Sequence, residues 1–216
     1  YYAEINNSLV FASEIKSLVE GLEEGKPGID PVGLNQYLTY QNYFGNRALT
    51  QGVKLLRPGH TLTFNLDSKI KVESFWSLSF DTENTNADFP SAVDLYKDTL
   101  ESSVRRHLLS DVPVASYLSA GFDSSTVANR AASIGDAPVC FTGSFKEGGW
   151  YDETSMAAEM ARYNGSEHIA VSIGSDVLPR VMDKLIGALD EPRMGMGAFP
   201  QYCVAEQAAK THKVIL

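Results

Sequence analysis

The chain has 216 residues, 44% of them hydrophobic, with 18 Lys and Arg against 27 Asp and Glu for a net charge of −9. That hydrophobic share can build a core in one large domain or two small ones, and the acidic balance without a Lys/Arg cluster argues against a phosphate-backbone surface, leaving room only for a local patch, so no nucleic acid is expected as a partner. No apolar run approaches the roughly 20 residues of a membrane span and no basic-then-apolar leader is present, so no membrane partner is expected. Cys140 and Cys203 lie far apart without C-x-x-C spacing, which suggests neither zinc nor a disulfide framework and fits a reducing, cytoplasmic setting.

In chain order, Tyr1 to Ile5 and Ser8 to Ala12 read as two short strands joined at Asn6-Asn7, a pair that tolerates left-handed backbone in a hairpin turn. Ser13 reads as the cap of a helix through Val19. Asp30-Pro31 opens another, with Asp30 at the N-cap, Pro31 in the first helical position and Leu34, Tyr37 and Leu38 on one face. Val53 to Leu56, Thr61 to Leu66 and Ile70 to Phe75 read as strands, broken by Arg57-Pro58-Gly59-His60 and by Asp67-Ser68. Asp81 to Asp88 is polar and aperiodic, a linker. Beyond it, Val93, Tyr96, Leu100, Val104 and Leu108 recur at helical steps within 89–110, and Arg105-Arg106-His107 suit the negative end of that helix dipole, the favoured reading over a role in holding phosphates.

Val114 to Leu118 then reads as a buried strand, Ser119 to Asp123 as a tight turn and Ser124 to Ser133 as a helix. Strand, small-residue loop and helix suit a phosphate cradle, where backbone N–H groups and the positive end of the helix dipole converge on the loop without needing a Lys; the hexapeptide alone reads also as an ordinary strand-to-helix turn. Val139 to Phe145 is the next strand. A helix runs through Asn164 with Asp152 as N-cap and Gly165 as C-terminal cap, and Ser166-Glu167-His168 opens another strand. Ser175 to Gly187 is helical, Asp190-Glu191-Pro192 closes that segment, and Gln201 to Lys210 leads as a helix into a strand at Val214 to Leu216. Asp190 and Glu191 side by side could serve Mg²⁺, but the residues alone favour a solvated helix end.

Ser119-Ala120-Gly121-Phe122-Asp123-Ser124 resembles the S-G-G-x-D-S pyrophosphate loop of the N-type ATP pyrophosphatases and, within them, of the asparagine synthetases. Ala120 departs from that pattern; an alanine fits there if its φ is negative and is strained by about 1 kcal/mol or more if φ is positive. Tyr1-Tyr2-Ala3-Glu4, Phe11 to Lys16 and Leu56 to His60 resemble the last third of a class II glutaminase domain. Tyr151-Asp152-Glu153 followed by Gly165-Ser166-Glu167-His168 is a further marker of the same family. The resemblance implies an α/β fold, a Rossmann-like parallel sheet with helices on both faces (ATP pyrophosphatase type), preceded by the β-rich end of a class II glutaminase domain. Residues 1–80 would form that end, 81–88 the linker and 89–216 the N-terminal part of the synthetase domain.

The resemblance further implies ATP on Leu118, Ser119, Ala120, Gly121, Phe122, Asp123, Ser124, Ser125, Thr142 and Gly143, with backbone groups of Leu118 and Gly143 at the adenine. Mg²⁺ would sit at Asp123, and Asp190 and Glu191 on the substrate side. Gly143 stands where the family has an aliphatic residue, which implies looser adenine-side packing; as a residue alone it reads equally as a bulge glycine. The implied reaction converts aspartate, ATP and glutamine or ammonia to asparagine, AMP and pyrophosphate, with glutamate left when glutamine is the donor, through a β-aspartyl adenylate. A β-lactam synthetase-like ligase and a non-catalytic nucleotide-binding relative are the alternatives, and homodimerisation is left open. Tyr1 rather than Met at the start and an uncapped strand at the end suggest a piece of a longer protein. The family's glutaminase Cys and its adenylation Glu fall outside these residues, so no catalytic residue is assigned and the segment alone is expected to be inactive. Ser13 to Lys16 also matches S-x-x-K and Gly195-Met196-Gly197 part of a dinucleotide loop, but their companion residues are missing, and no Walker G-x-x-x-x-G-K-[ST] occurs.

Overall fold

Two short, mostly apolar runs at the N-terminus give β1 (Tyr2–Ile5) and β2 (Ser8–Phe11), an antiparallel hairpin in register from Tyr2↔Phe11 to Ile5↔Ser8. Asn6 and Asn7 turn it at φ 49° and 59°, left-handed values that asparagine adopts at low cost. The structure is a computed structural model, and it describes residues 1–22, 27–65, 67, 69–80, 88–149, 151–192, 195 and 197–216. Two units divide the chain: Tyr1–Asp81 with Asp183–Gly195, and Thr82–Met182 with Met196–Leu216.

In the first unit, α1 (Ile15–Glu20) has Glu14 rather than Ser13 at its N-cap, and no side chain at that position caps it. The next helix, α2 (Pro31–Tyr40), starts as its sequence dictates, with the Asp30 carboxylate accepting from Gly33 N at 2.6 Å. Its apolar stripe does not enter the core: Leu38 is 72% exposed. What the helix buries instead is Gly33, where a Cβ would come within 2.7 Å of the Ala48 carbonyl oxygen. The strand expected at Val53 to Leu56 does not form; Lys54 makes isolated bridges to Tyr2 and Arg47, while the Val53 and Leu55 amides go to the carbonyls of Thr50 and Asn46. A local run of β-formers does not hold a ladder when its successive amides go to three separate partners, Thr50, Tyr2 and Asn46. Next come β3 (His60–Phe64) and β4 (Ile70–Ser74), paired antiparallel from His60↔Ser74 to Phe64↔Ile70; Leu66 and Ser68 lie outside the described residues. Ala3, Ile15, Leu18, Ala48 and Val53 form this unit's core.

The expected linker lies outside the described residues from 81 to 87, and Asp88 is the N-cap of α3 (Phe89–His107), accepting from Ser91 N at 2.9 Å. This helix stops three residues short of the expected end at 110, with Leu108 as its C-cap, and of the stripe only Val104 is buried; Arg105, Arg106 and His107 occupy its last turn as the dipole favours. Beyond it follow β5 (Val114–Tyr117), α4 (Phe122–Ile134), β6 (Cys140–Phe145), α5 (Thr154–Asn164), β7 (His168–Ile173), α6 (Val177–Leu189), α7 (Ala198–Ala208) and β8 (Val214–Ile215). The four strands form one parallel sheet in the order β7-β6-β5-β8.

Strand alternation puts helices on both faces. Ala115, Phe141 and Ile173 point to a cluster with Val181 of α6 and Cys203, Val204 and Ala208 of α7. Leu118 and Cys140 point the other way, to Ala128 of α4 and Ala157 and Ala161 of α5. The fully buried alanines let those helices approach the sheet closely. The fold is therefore α/β, a parallel sheet covered on both sides. Several ends differ from their sequence patterns. α4 begins two residues early because Gly121 takes the N-cap, and α7 begins at Ala198 because Pro200 is tolerated in a first turn. Glu153 rather than Asp152 occupies the α5 N-cap position, with Asp152 Oδ1 accepting from Thr154 N at 3.0 Å and from the Thr154 hydroxyl. Gly165, at φ 70°, ends α5 as expected.

Candidate functional site

β5 delivers the chain into the loop and α4 leaves it. The helix has no side-chain cap, so its first-turn amides and the positive end of its dipole face the loop. Ser119 N donates to Ser124 Oγ at 3.1 Å, the two hydroxyls lie 3.0 Å apart, and Ser124 Oγ donates to the Gly121 carbonyl at 3.3 Å. These bonds preshape the turn while leaving both hydroxyls able to swing onto a ligand. Phe122 and Asp123 are exposed at its mouth. Ser125 differs: it is buried, its amide bonds to the Gly121 carbonyl at 3.0 Å, and its Oγ meets no partner among the described residues.

Ala120 sits at φ 58°, so the condition for strain at the departing residue is met. An L-residue held there costs about 1–2 kcal/mol. The loop tolerates it because the Ala120 methyl packs against the Leu118, Ala128, Cys140, Ala157 and Ala161 cluster.

Beside the loop, the lengths of two strands create a cavity. Pairing between β5 and β6 ends at Tyr117↔Phe141, but β6 continues to Phe145 against β7. In a parallel ladder, residues whose peptide groups face one neighbour alternate with those facing the other. Phe141 O accepts from Leu118 N, and Cys140 N donates to Glu167 O on the opposite side, so the peptide groups of Gly143 face the space where β5 has ended. A cavity of about 370 Å³ occupies it, lined by Leu118, Ser119, Ser124, Thr142 and Gly143 and also by Tyr151, Glu153 and Gln201. The last three had no site reading in the sequence; Tyr151-Asp152-Glu153 was visible only as a family marker. Leu118 and Thr142 are 1% and 4% exposed, and the Thr142 hydroxyl donates to the Leu118 carbonyl at 2.5 Å.

Gly143 is not at a bulge, since its register with Val171 is unbroken. Nor is its surrounding loose: a Cβ there would meet Ile173 Cδ1 at 3.2 Å and Val204 Cγ2 at 3.5 Å. The glycine is the complement of Ile173 and Val204, which fill the volume an aliphatic residue would take.

Asp190 and Glu191 are placed elsewhere, inside the first unit. Asp190, at φ 61°, accepts from Ile15 N at 2.8 Å and pairs with Lys16 Nζ at 3.2 Å. It therefore supplies, from 175 positions away, the cap that α1 lacks locally. Glu191 is 3% exposed, and its two oxygens accept from Leu49 N at 2.6 Å and Tyr1 OH at 3.2 Å. The pair is a clasp, not the solvated helix end that the residues alone favoured. Among the described residues no three His, Cys, Asp or Glu side chains gather as a metal site. Cys140 and Cys203 are buried free thiols, and burial raises the pKa of both, as suits packing residues rather than nucleophiles.

A small-residue loop and an uncapped helix N-terminus at the carboxyl edge of a parallel α/β sheet, with an open cavity at their side, define a doubly wound α/β class of domain. The chain belongs to the asparagine synthase family: residues 95–216 match the Asparagine synthase model, and residues 1–76 match the Glutamine amidotransferase domain. It is 32% identical over its whole length to asparagine synthetase [glutamine-hydrolyzing] 1 of Bacillus subtilis, covering 33% of that protein. It is 28% identical, again over its whole length, to putative asparagine synthetase [glutamine-hydrolyzing] 2 of Methanocaldococcus jannaschii, covering 42% of it. The chain thus spans about a third of the length of the curated relatives it matches. A solved glutamine-dependent NAD+ synthetase from Acinetobacter baumannii shares 17% identity over 71% of this chain and 29% of that one, with a TM-score of 0.38, a likeness too slight to carry weight.

Proposed function

We propose that the chain is the middle of an ATP-dependent, AMP-forming ligase that makes asparagine from aspartate with glutamine or ammonia as nitrogen source. Residues 1–80 close the glutaminase domain, 81–88 link, and 89–216 begin the synthetase domain. The observation that carries the reading is the uncapped α4 N-terminus opening beside the 370 Å³ cavity. Phosphates would lie on Ser119 to Ser124, taking the first-turn amides and both hydroxyls, and adenine would enter the cavity against the peptide edge of Gly143 and the Leu118–Thr142 wall. The Leu118 amide is already spent on Phe141 O, so its part at the adenine is the wall and the carbonyl. Ser125 supports the turn from within.

The β-carboxylate of aspartate would attack the α-phosphate, giving β-aspartyl adenylate and pyrophosphate, and ammonia would then displace AMP. Charge develops on the departing pyrophosphate, and donors fixed in advance around it stabilise that charge without reorganisation. The residues present suit Mg²⁺, which takes one or two carboxylates and otherwise phosphate oxygens and water; Asp123, exposed on the first turn of α4, is the carboxylate offered. Bound there, the ion would neutralise phosphate charge. The clasp geometry of Asp190 and Glu191 gives no support to a substrate-side role for them. The test is Asp123→Ala in the full-length protein: loss of ATP affinity and turnover supports the assignment, and unchanged values for both would overturn it.

A further inference from the structure

The residue that heads β7 acts on the cavity from behind. The Thr142 hydroxyl lies 2.5 Å from the Leu118 carbonyl, an acceptor only, so its single proton is committed there. His168 Nε2 lies 2.9 Å from the same Thr142 oxygen. With the hydroxyl proton spent, that contact requires Nε2 to be the donor, which fixes the tautomer of the ring. Burial lowers the pKa of His168, in keeping with a neutral imidazole in that form.

The result is a relay across three strands, from β7 through β6 to the end of β5. Its terminus matters because the ladder between β5 and β6 stops at Tyr117↔Phe141. Beyond that pair the last peptide before the loop is held by a side chain instead of a strand amide. Leu118 N is tied to Phe141 O at 3.0 Å and Leu118 O to Thr142, so the launch direction of Ser119 is set by a hydroxyl whose own orientation is set by His168.

We infer that His168 is a positioning residue for the nucleotide site, holding Thr142 so that the Leu118 peptide aims the loop. The inference rests on the proposed nucleotide reading only for its consequence on ligand affinity; its consequence for the loop stands by itself. Four variants of the full-length protein test it: His168→Ala and Thr142→Val break the relay, while His168→Gln and Thr142→Ser keep a donor and a hydroxyl. Without ligand, His168→Ala and Thr142→Val should raise amide hydrogen exchange over Ser119 to Asp123 roughly three- to tenfold, the loss expected for one net hydrogen bond. His168→Gln and Thr142→Ser should stay within about twofold of wild type by the same reckoning. Adding His168→Ala to Thr142→Val should change nothing more, because the two act in series. ATP affinity should follow the same order. If wild type binds no ATP while exchange follows the pattern, the nucleotide reading fails and the positioning role survives. If His168→Ala leaves loop exchange unchanged, matches His168→Gln, or adds fully to Thr142→Val, the positioning role is overturned.

Discussion

Replacing Ala120 measures the strain stored in the loop. At φ 58° a Cβ costs roughly 1–2 kcal/mol, which Ala120→Gly would remove. Against this gain, the glycine gives the unfolded chain about 0.4–1 kcal/mol of extra freedom. It also loses a methyl packed on the Leu118–Ala128–Cys140 cluster, worth at most about 0.8 kcal/mol if wholly buried. Ala120 is only half-buried, so the opposing effects nearly cancel and Ala120→Gly should change stability by less than about 1 kcal/mol. Ala120→Val has no such compensation. A β-branched residue at positive φ is a severe outlier, so it should cost about 2 kcal/mol or more and weaken ATP binding as the loop deforms. Denaturant unfolding of the full-length protein reads the first quantity, nucleotide titration the second. A valine variant as stable as wild type would show that the residue is not held left-handed, and a glycine variant more stable by about 1.5 kcal/mol would show that the methyl contributes no packing.

Ser119→Ala should slow asparagine formation on the order of a hundredfold with little change in unfolding midpoint, the loss expected for one donor at developing charge; wild-type turnover would remove Ser119 from the site. Glu191→Ala strips the Leu49 amide of its acceptor in a buried setting and should cost about 1–3 kcal/mol in a chemical melt, with an effect below about 0.5 kcal/mol arguing against the clasp. Asp30→Ala should cost about 1–2 kcal/mol through loss of the α2 cap. The Gly33 amide, then Arg47, hold the Asp30 carboxyl below the ordinary aspartate range. A depressed folded value stabilises above the ordinary one and is lost as pH falls through the depressed one, so wild type and Asp30→Ala should converge in stability at acid pH; a gap that persists there would contradict the assignment. Gly143→Ala drives a methyl against Ile173 and should lower stability by about 1 kcal/mol while reducing the cavity, as overpacking does.

The sheet and its loop could be read from sequence because their signals are local. An apolar run, a small-residue turn and a helix follow one another at Val114 to Ile134, and periodicity reports each directly. Contacts made over long separations left no such trace. Asp190 looks like any acidic residue after a helix, and only the fold brings it to Ile15. The Val53 to Leu56 run has β-forming residues, yet its amides are claimed by neighbours that composition does not reveal. Gly143 suggested slack because a side chain is missing there; the volume is supplied by Ile173 and Val204 from other elements. Thr142 and His168, 26 positions apart, meet only because β6 and β7 pair in parallel register.

The account turns on which phosphorus atom the aspartate attacks. Turnover by the full-length protein with aspartate labelled with ¹⁸O in its side-chain carboxylate decides it. Label recovered in AMP, with unlabelled pyrophosphate, is the result expected for an adenylate formed at this loop. Label in inorganic phosphate, with ADP as the other product, would contradict it.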